Sequence, residues 1–245
     1  MNGKQPSAEQ ADKPIIEITD LRKVYRIGGE KVVALGSISL SIRRGEFCCL
    51  LGTSGSGKST LLNMMAGLEK PTRGTVKIRG QVVSAMSEKR LARFRQDYLG
   101  FIFQSYNLLP ALNALENVAL PLTFKGVPRF AREKRARKLL AAVGLSSHEK
   151  HKPSQMSGGQ QQRVGIARAF AAKPQIIFAD EPTGNLDSKT TLEVMELMKT
   201  LARRNNQTIV MVTHDNELAR HADRIIRIID GSIQEIIVQN ETFGG

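Results

Sequence analysis

The chain has 245 residues, of which 41% are hydrophobic and 24% charged, as expected of a soluble globular protein with length for a full core. No apolar run approaches the roughly 18 residues needed to span a bilayer, and residues 1–13 are polar, so they read as a short disordered lead and not as a signal peptide or anchor. The net charge of +13 admits nucleic acid as a partner, but only 5% of residues are aromatic, the basic residues are spread widely, and no nucleic-acid module is evident, so none is expected as a ligand.

Residues 15–42 alternate apolar and polar in short pieces, as at Ile38, Leu40 and Ile42, with a Gly28-Gly29 turn, and predict antiparallel sheet. Residues 47–51 form an unbroken apolar run, the pattern of a buried parallel strand. Its adjacent Cys48 and Cys49 point to opposite faces and read as small core residues, because a metal site needs more ligands and a disulfide framework more spacing. A helix is predicted over 59–65, a strand over 74–80, a helix over 87–96 and a buried strand over 98–103 that stops at Gln104. From 105 to 155 the pattern turns helical, broken by Pro110, Pro121, Gly126 and Pro128, as in an inserted lobe. Its basic cluster of Arg129, Arg132, Lys134, Arg135, Arg137 and Lys138 reads either as a solvated helix face or as a surface attracted to an anionic leaflet. Then follow a helix over 160–171, a buried strand over 175–179 ending at Asp180-Glu181, a helix over 188–202 and a buried strand over 208–213 ending at His214. The strands 225–229 and 233–238 close the chain around Asp230-Gly231.

Between the first buried strand and its helix lies Gly52-Thr53-Ser54-Gly55-Ser56-Gly57-Lys58-Ser59-Thr60, which fits the pattern G-x-x-x-x-G-K-[ST] at every position. The glycines let the backbone curl around a polyphosphate, with N–H groups and the positive helix end facing it. Lys58 adds a charge toward the β- and γ-phosphates, and the Ser59 hydroxyl is placed to ligate Mg²⁺. Asp180 ends a buried strand, where a carboxylate needs a cation, and Mg²⁺ shared with Ser59 supplies it. Glu181 leaves the strand in another direction and can orient and deprotonate a water. Gln104 and His214 stand at strand ends beside these groups and read as γ-phosphate or water contacts. In an open α/β sheet, ligands bind outside the carboxyl ends of the strands, so these sites converge on one nucleotide. Ser157-Gly158-Gly159-Gln160 opens another helix with exposed N–H groups. It is either a plain capped N-terminus or a second anion site, in which case two copies pair head to tail and each offers this segment to the other's nucleotide.

The order of phosphate loop, strand ending in Gln, S-G-G-Q, Asp-Glu and Thr-His-Asp resembles the nucleotide-binding subunits of ABC transporters over residues 15–233. That resemblance implies a P-loop NTPase α/β core with an N-terminal antiparallel β subdomain (14–104 and 156–240) and an inserted α-helical subdomain (105–155). It implies ATP and Mg²⁺ as cofactors, with Tyr25 stacking on adenine, Gly52, Ser54, Gly55, Ser56, Gly57, Lys58, Ser59 and Thr60 holding phosphates, and Gln104 joining Ser59 and Asp180 at the metal. Residues 156–160 would be the signature, with Met156 where the family usually has Leu. Glu181 would be the catalytic carboxylate, Asn185, Leu186 and Asp187 the dimer-contacting D-loop, and His214 the switch histidine.

Wording such as Gly100-Phe101-Ile102-Phe103-Gln104, Asn107-Leu108-Leu109-Pro110 and Gly158-Gly159-Gln160-Gln161-Gln162-Arg163 is similar to the macrolide-exporter and lipoprotein-release group. The implied protein is a homodimer on the cytoplasmic face of the membrane. It would drive a separate permease and, through it, extracytoplasmic components. The permease would dock at Leu108-Leu109-Pro110 and at residues 119–122, which serve equally as lobe core. A cell-division ATPase regulating cell-wall hydrolases is the alternative, and a soluble ABC-type ATPase acting on ribosomes or DNA a third.

Overall fold

The computed structural model describes residues 14–239; the expected lead at 1–13 lies outside the described residues. Two sheets share the chain. In the first, β1 (Ile16–Ile27) and β2 (Glu30–Ile42) pair antiparallel across the glycine turn, β4 (Arg73–Ile78) pairs with the other side of β1, and the two-residue β5 (Gln81–Val82) closes the edge. Their alternation buries Ile16, Ile18, Ile38, Ile42, Val76 and Ile78 on one face.

The second sheet has the order β10-β9-β3-β8-β7-β6, with β3 (Phe47–Leu51), β6 (Leu99–Phe103), β7 (Ile176–Asp180), β8 (Thr208–Thr213), β9 (Arg224–Ile229) and β10 (Ser232–Val238). Every neighbouring pair is parallel except β9 and β10, which form the hairpin around Asp230-Gly231. The side-chain period of two splits its residues between two cores. Cys48, Leu50, Ile176, Phe178, Val210 and Val212 pack with α1 (Lys58–Met65), α2 (Glu88–Tyr98) and the first sheet. Cys49, Leu51, Ile177, Ala179, Ile209 and Met211 pack with α3 (Ala114–Phe124), α4 (Arg129–Ala142), α5 (Gly158–Ala171) and α6 (Ser188–Arg204). Each large apolar side chain so buried contributes about 1.5–3 kcal/mol of transfer free energy. Both faces being covered explains why these strands read as continuous apolar runs.

Helices α3 and α4 lie between β6 and α5 in the chain. Asn113 caps α3 in a reciprocal box with Glu116, both bonds at 2.9 Å, and fixes where the helix begins. One turn later the fully buried Asn117 accepts from the Leu109 N–H at 2.8 Å and turns its amide to the carbonyls of Leu109, Leu112 and Asn113. A single amide thereby satisfies a loop that has no ladder of its own. In the basic cluster, Arg129 and Arg137 pair with Glu133, Arg137 also reaches Glu149, and Arg135 donates to the Phe170 and Ala171 carbonyls at the end of α5. The short α7 (Asn216–Ala219), capped by Asp215, has no counterpart in the sequence expectation, and neither does β5.

Candidate nucleotide site

The strands β3, β8, β7 and β6 stand side by side, so the phosphate loop, His214, Asp180-Glu181 and Gln104 emerge along one edge of the sheet in that order. The loop's shape is set by steric exclusion. Gly57 occupies the left-handed region at φ +97° as the cap of α1, and a Cβ there would sit 2.6 Å from the Ala34 carbonyl oxygen. At Gly52 a Cβ would collide with the Ile228 carbonyl oxygen. The loop is thus held between β2 and β9, with the free N–H groups of α1 facing out of it.

Lys58 is 5% exposed. Its ammonium donates to the Thr53 carbonyl at 2.6 Å and lies 3.5 Å from the Ser56 hydroxyl, folded across its own loop. Burial pulls its pKa down, and the charges of Glu181 and Asp180 oppose that pull. A cation kept dry beside unpaired N–H groups matches a polyphosphate, which would return both the charge and the acceptors.

The Ser59 hydroxyl donates to Asp180 Oδ1 at 3.3 Å. Burial raises the Asp180 carboxyl above its ordinary value, with the Ser59 bond acting against it. The pair offers oxygen donors of the kind a hard divalent cation takes. Glu181 has φ +46°, sparsely populated for any residue with a Cβ, and its N–H donates to the Val212 carbonyl at 3.0 Å. This twist at the strand end sends its carboxylate to His214 Nδ1, at 2.8 and 3.0 Å from its two oxygens, while Asp180 turns to Ser59.

Gln104 is tied elsewhere. Its amide donates to Asn185 Oδ1 at 3.4 Å, Asn185 donates back to the Gln104 carbonyl at 3.1 Å, and among the described residues no hydrogen bond joins it to Ser59 or Asp180. Tyr25 is half-buried on β1. Its hydroxyl donates to Glu69 at 2.8 Å and Lys23 stands 4.9 Å from its ring centroid, so one ring face is taken by a cation. Burial, then the Glu69 bond, raises the phenol pKa. Asp187 caps α6 by accepting from the Thr190 N–H at 3.0 Å and its hydroxyl at 2.7 Å, which hold the Asp187 carboxyl below its usual range. Ser157 caps α5 in a reciprocal box with Gln160, the Gln160 N–H reaching Ser157 Oγ at 3.3 Å and the Ser157 N–H reaching Gln160 Oε1 at 2.9 Å. Among the described residues no hydrogen bond connects that segment to the phosphate loop.

Two residues that sequence reasoning passed over wire α5 to this edge. Gln162 is fully buried and donates to the carbonyl of Pro182, next after Glu181. Arg168 donates to the carbonyls of Tyr106, at 2.8 Å, and Asn107 just beyond Gln104. Side chains that grip main-chain carbonyls on a distant segment leave no spacing pattern. Arg168 also lines a groove of about 370 Å³ whose other walls include Phe101, Phe103, Leu120, Pro121 and Phe124. Of residues 119–122, Leu120 and Pro121 reach the groove while Ala119 and Leu122 are buried in the core, and Leu108, Leu109 and Pro110 are outside its lining.

A phosphate loop between β3 and α1, with the acidic end of β7 on the same sheet edge, defines an α/β P-loop nucleotide-binding protein. The chain belongs to the ABC transporter family, whose model, described as "ABC transporter", matches residues 35–184. An ABC transporter ATP-binding protein of Thermotoga maritima is 49% identical over 232 residues, covering 95% of this chain and 99% of its own length. The macrolide export ATP-binding/permease protein MacB of Wolinella succinogenes is 48% identical over 221 residues, 90% of this chain but 34% of its own length. The dimeric structure of the cassette MJ0796 in a post-hydrolysis state with ADP and Pi superposes with a TM-score of 0.84 at 44% identity, covering 91% of this chain and 98% of that one. A protein of that name from Methanocaldococcus jannaschii is 46% identical over 224 residues, 90% of this chain and 95% of its own length. The chain is an ATP-binding cassette and an ATPase.

Proposed function

We propose that this cassette closes as a head-to-tail homodimer on ATP and hydrolyses it to drive a membrane permease. The observation that carries the reading is an asymmetry. Among the described residues there is a phosphate loop with a buried cation, and a second glycine-bearing helix N-terminus that begins at the exposed Ser157, is half-buried at Gly158 and Gly159, and has no lysine. Such a half-site contributes most when it lies against a nucleotide that another copy already holds. The dimeric form of the MJ0796 structure supports this.

Mg²⁺ bound by Ser59 and Asp180 would neutralise charge on the phosphates. Glu181 accepts the proton of a water attacking the γ-phosphorus, the bond to the β-phosphate oxygen breaks, and ADP and phosphate leave. His214, in contact with Glu181, orients that carboxylate and reaches the γ-phosphate side. Gln104, coupled to Asn185, reads the same phosphate and passes its state toward the groove through the Tyr106-Asn107 segment that Arg168 grips.

The groove at Phe101, Leu120, Pro121 and Phe124 is the docking place for the permease, which keeps the cassette at the cytoplasmic face of the membrane. The MacB relative carries "ATP-binding/permease" in a single name and is about three times longer, while the Thermotoga relative is matched over nearly its whole length as an ATP-binding protein. The permease in the MacB relative's name supports a membrane permease as partner, in an exporter or force-transmitting complex. Glu181→Gln should retain ATP, accumulate as a dimer on size exclusion, and lose about 10²–10⁴ in kcat. Wild-type turnover by that protein would remove Glu181 from its role. A tagged preparation from detergent-solubilised membranes should bring down an integral membrane protein, and recovery of ribosomes without one would refute the transporter assignment.

A further inference from the structure

The turn that precedes the Ser157 half-site holds a histidine against it. His148 Nε2 lies 3.0 Å from Gln160 Nε2, and His148 Nδ1 lies 3.0 Å from the Ser147 hydroxyl. The orientation of the Gln160 amide is settled by its other end, because Oε1 accepts the Ser157 N–H in the capping box. The end facing His148 is therefore NH₂, a donor only, and His148 Nε2 must accept from it. A histidine that accepts at Nε2 is neutral and carries its proton on Nδ1, where the Ser147 oxygen takes it.

We propose that neutral His148 is a positioning residue for the half-site, holding the Gln160 side chain in the capping box so that the Ser157 N-terminus is kept in shape for a partner's nucleotide. The proposal rests on the head-to-tail reading above. Protonation of His148 sets N–H against N–H. Gln160 can then satisfy the imidazolium only by turning Oε1 toward it, which takes the acceptor from Ser157 and opens the box. A cation at a helix N-terminus is also unfavourable to the helix dipole.

The other groups around the ring neither replace this bond nor compete for it. Glu149 turns to Arg137 of α4, which is shared with Glu133. His151 lies with its ring centroid 4.9 Å from that of His148, and its Nδ1 is buried with no hydrogen-bond partner among the described residues. On the α5 side the group in contact is Gln160, and α3 approaches the turn with backbone, the Leu115 N–H donating to the Glu149 carbonyl at 3.0 Å and the Ala114 N–H to the His151 carbonyl at 2.9 Å. Lys150 and Lys152 on the same turn are solvent-exposed.

The first test needs no dimer. Histidine-selective ¹⁵N NMR of nucleotide-free protein at pH 8 should show His148 as the Nδ1–H tautomer, and the Nε2–H tautomer would overturn the proposal. The second follows ATP-driven dimerisation of Glu181→Gln protein between pH 8 and pH 5.5. The apparent dimer affinity should weaken on the order of tenfold between the two ends of that range. His148→Gln, which keeps an acceptor at similar reach and does not titrate, should remove that drop. His148→Lys should behave at pH 8 like the acid form of the parent. His214 is present unchanged in all three proteins, so the difference between profiles belongs to His148. Identical profiles for parent and His148→Gln, or parent-like dimerisation by His148→Lys, would overturn the proposal and leave the head-to-tail reading standing. ATP-loaded protein that stays monomeric at pH 8 in every version would overturn both.

Discussion

Two helix N-termini in this molecule meet the same physical problem, unpaired N–H groups, in opposite ways. The α1 end is sealed: Gly57 touches Ala34, Gly52 touches Ile228, and Lys58 is buried across the loop. The α5 end is the more open one: the exposed Ser157 and half-buried Gln160 side chains cap it, and side chains rather than backbone, those of Tyr106 and Thr190, stand over Gly158 and Gly159. The first binds by stored charge and cannot change shape cheaply. In the proposed head-to-tail dimer the second would bind by dipole alone, with a cap that can open and close. The proposed cycle thus has one permanent grip and one that makes and breaks.

The comparison breaks most completely at Lys58. Lys58→Ala removes the buried charge and should cost about 10²–10³ in kcat/KM, read by phosphate release, with the fold kept. Gly57→Ala tests the sealed geometry. A Cβ at φ +97° pressed on the Ala34 carbonyl should destabilise by about 1–3 kcal/mol, seen as a lower urea midpoint with loss of nucleotide binding. Ser157→Ala acts on the open end only. It should lower stability by about 1 kcal/mol and weaken ATP-driven dimerisation, while fluorescent-nucleotide affinity of the monomer stays at the parent value. The smallest effect belongs to Asp187. Its folded carboxyl is held below the ordinary value, so the cap's contribution is complete above about pH 4 and is lost as pH falls through the lower folded pKa. Asp187→Asn should cap without titrating, and the gap between the two proteins' urea midpoints should close with acidification.

Most of the fold could be read in the sequence because both faces of the main sheet are covered. That burial writes four-to-six-residue apolar runs that end where chemistry begins, as at Leu51, Phe103, Ala179 and Thr213. The phosphate loop was legible because its glycines, lysine and hydroxyl follow one another at fixed spacing from Gly52 to Thr60, although the main chain that Gly57 and Gly52 abut, at Ala34 and Ile228, is distant. What escaped notice depends on distant main chain. Asn117, Gln162 and Arg168 each satisfy carbonyls that no residue spacing announces, and His148 meets Gln160 through a turn whose path is set by packing on α3. The two-residue β5 and four-residue α7 are too short to show a period. Tyr25 was legible as an aromatic on the first sheet, but its anchoring by Glu69 and Lys23 was not.

Cys48 and Cys49 give the two cores separate voices. They are consecutive, both fully buried, and each faces a different core. Burial pushes the Cys49 thiol up to about 12 and the Cys48 thiol higher still, so neither reacts as a thiolate while its surroundings stay closed. A pulse of alkylating reagent, with each thiol scored on its own in a Cys→Ala background, would clock how often each side of the sheet breathes. Run with and without ATP, the same clock would tell which half of the motor stiffens when it takes on fuel.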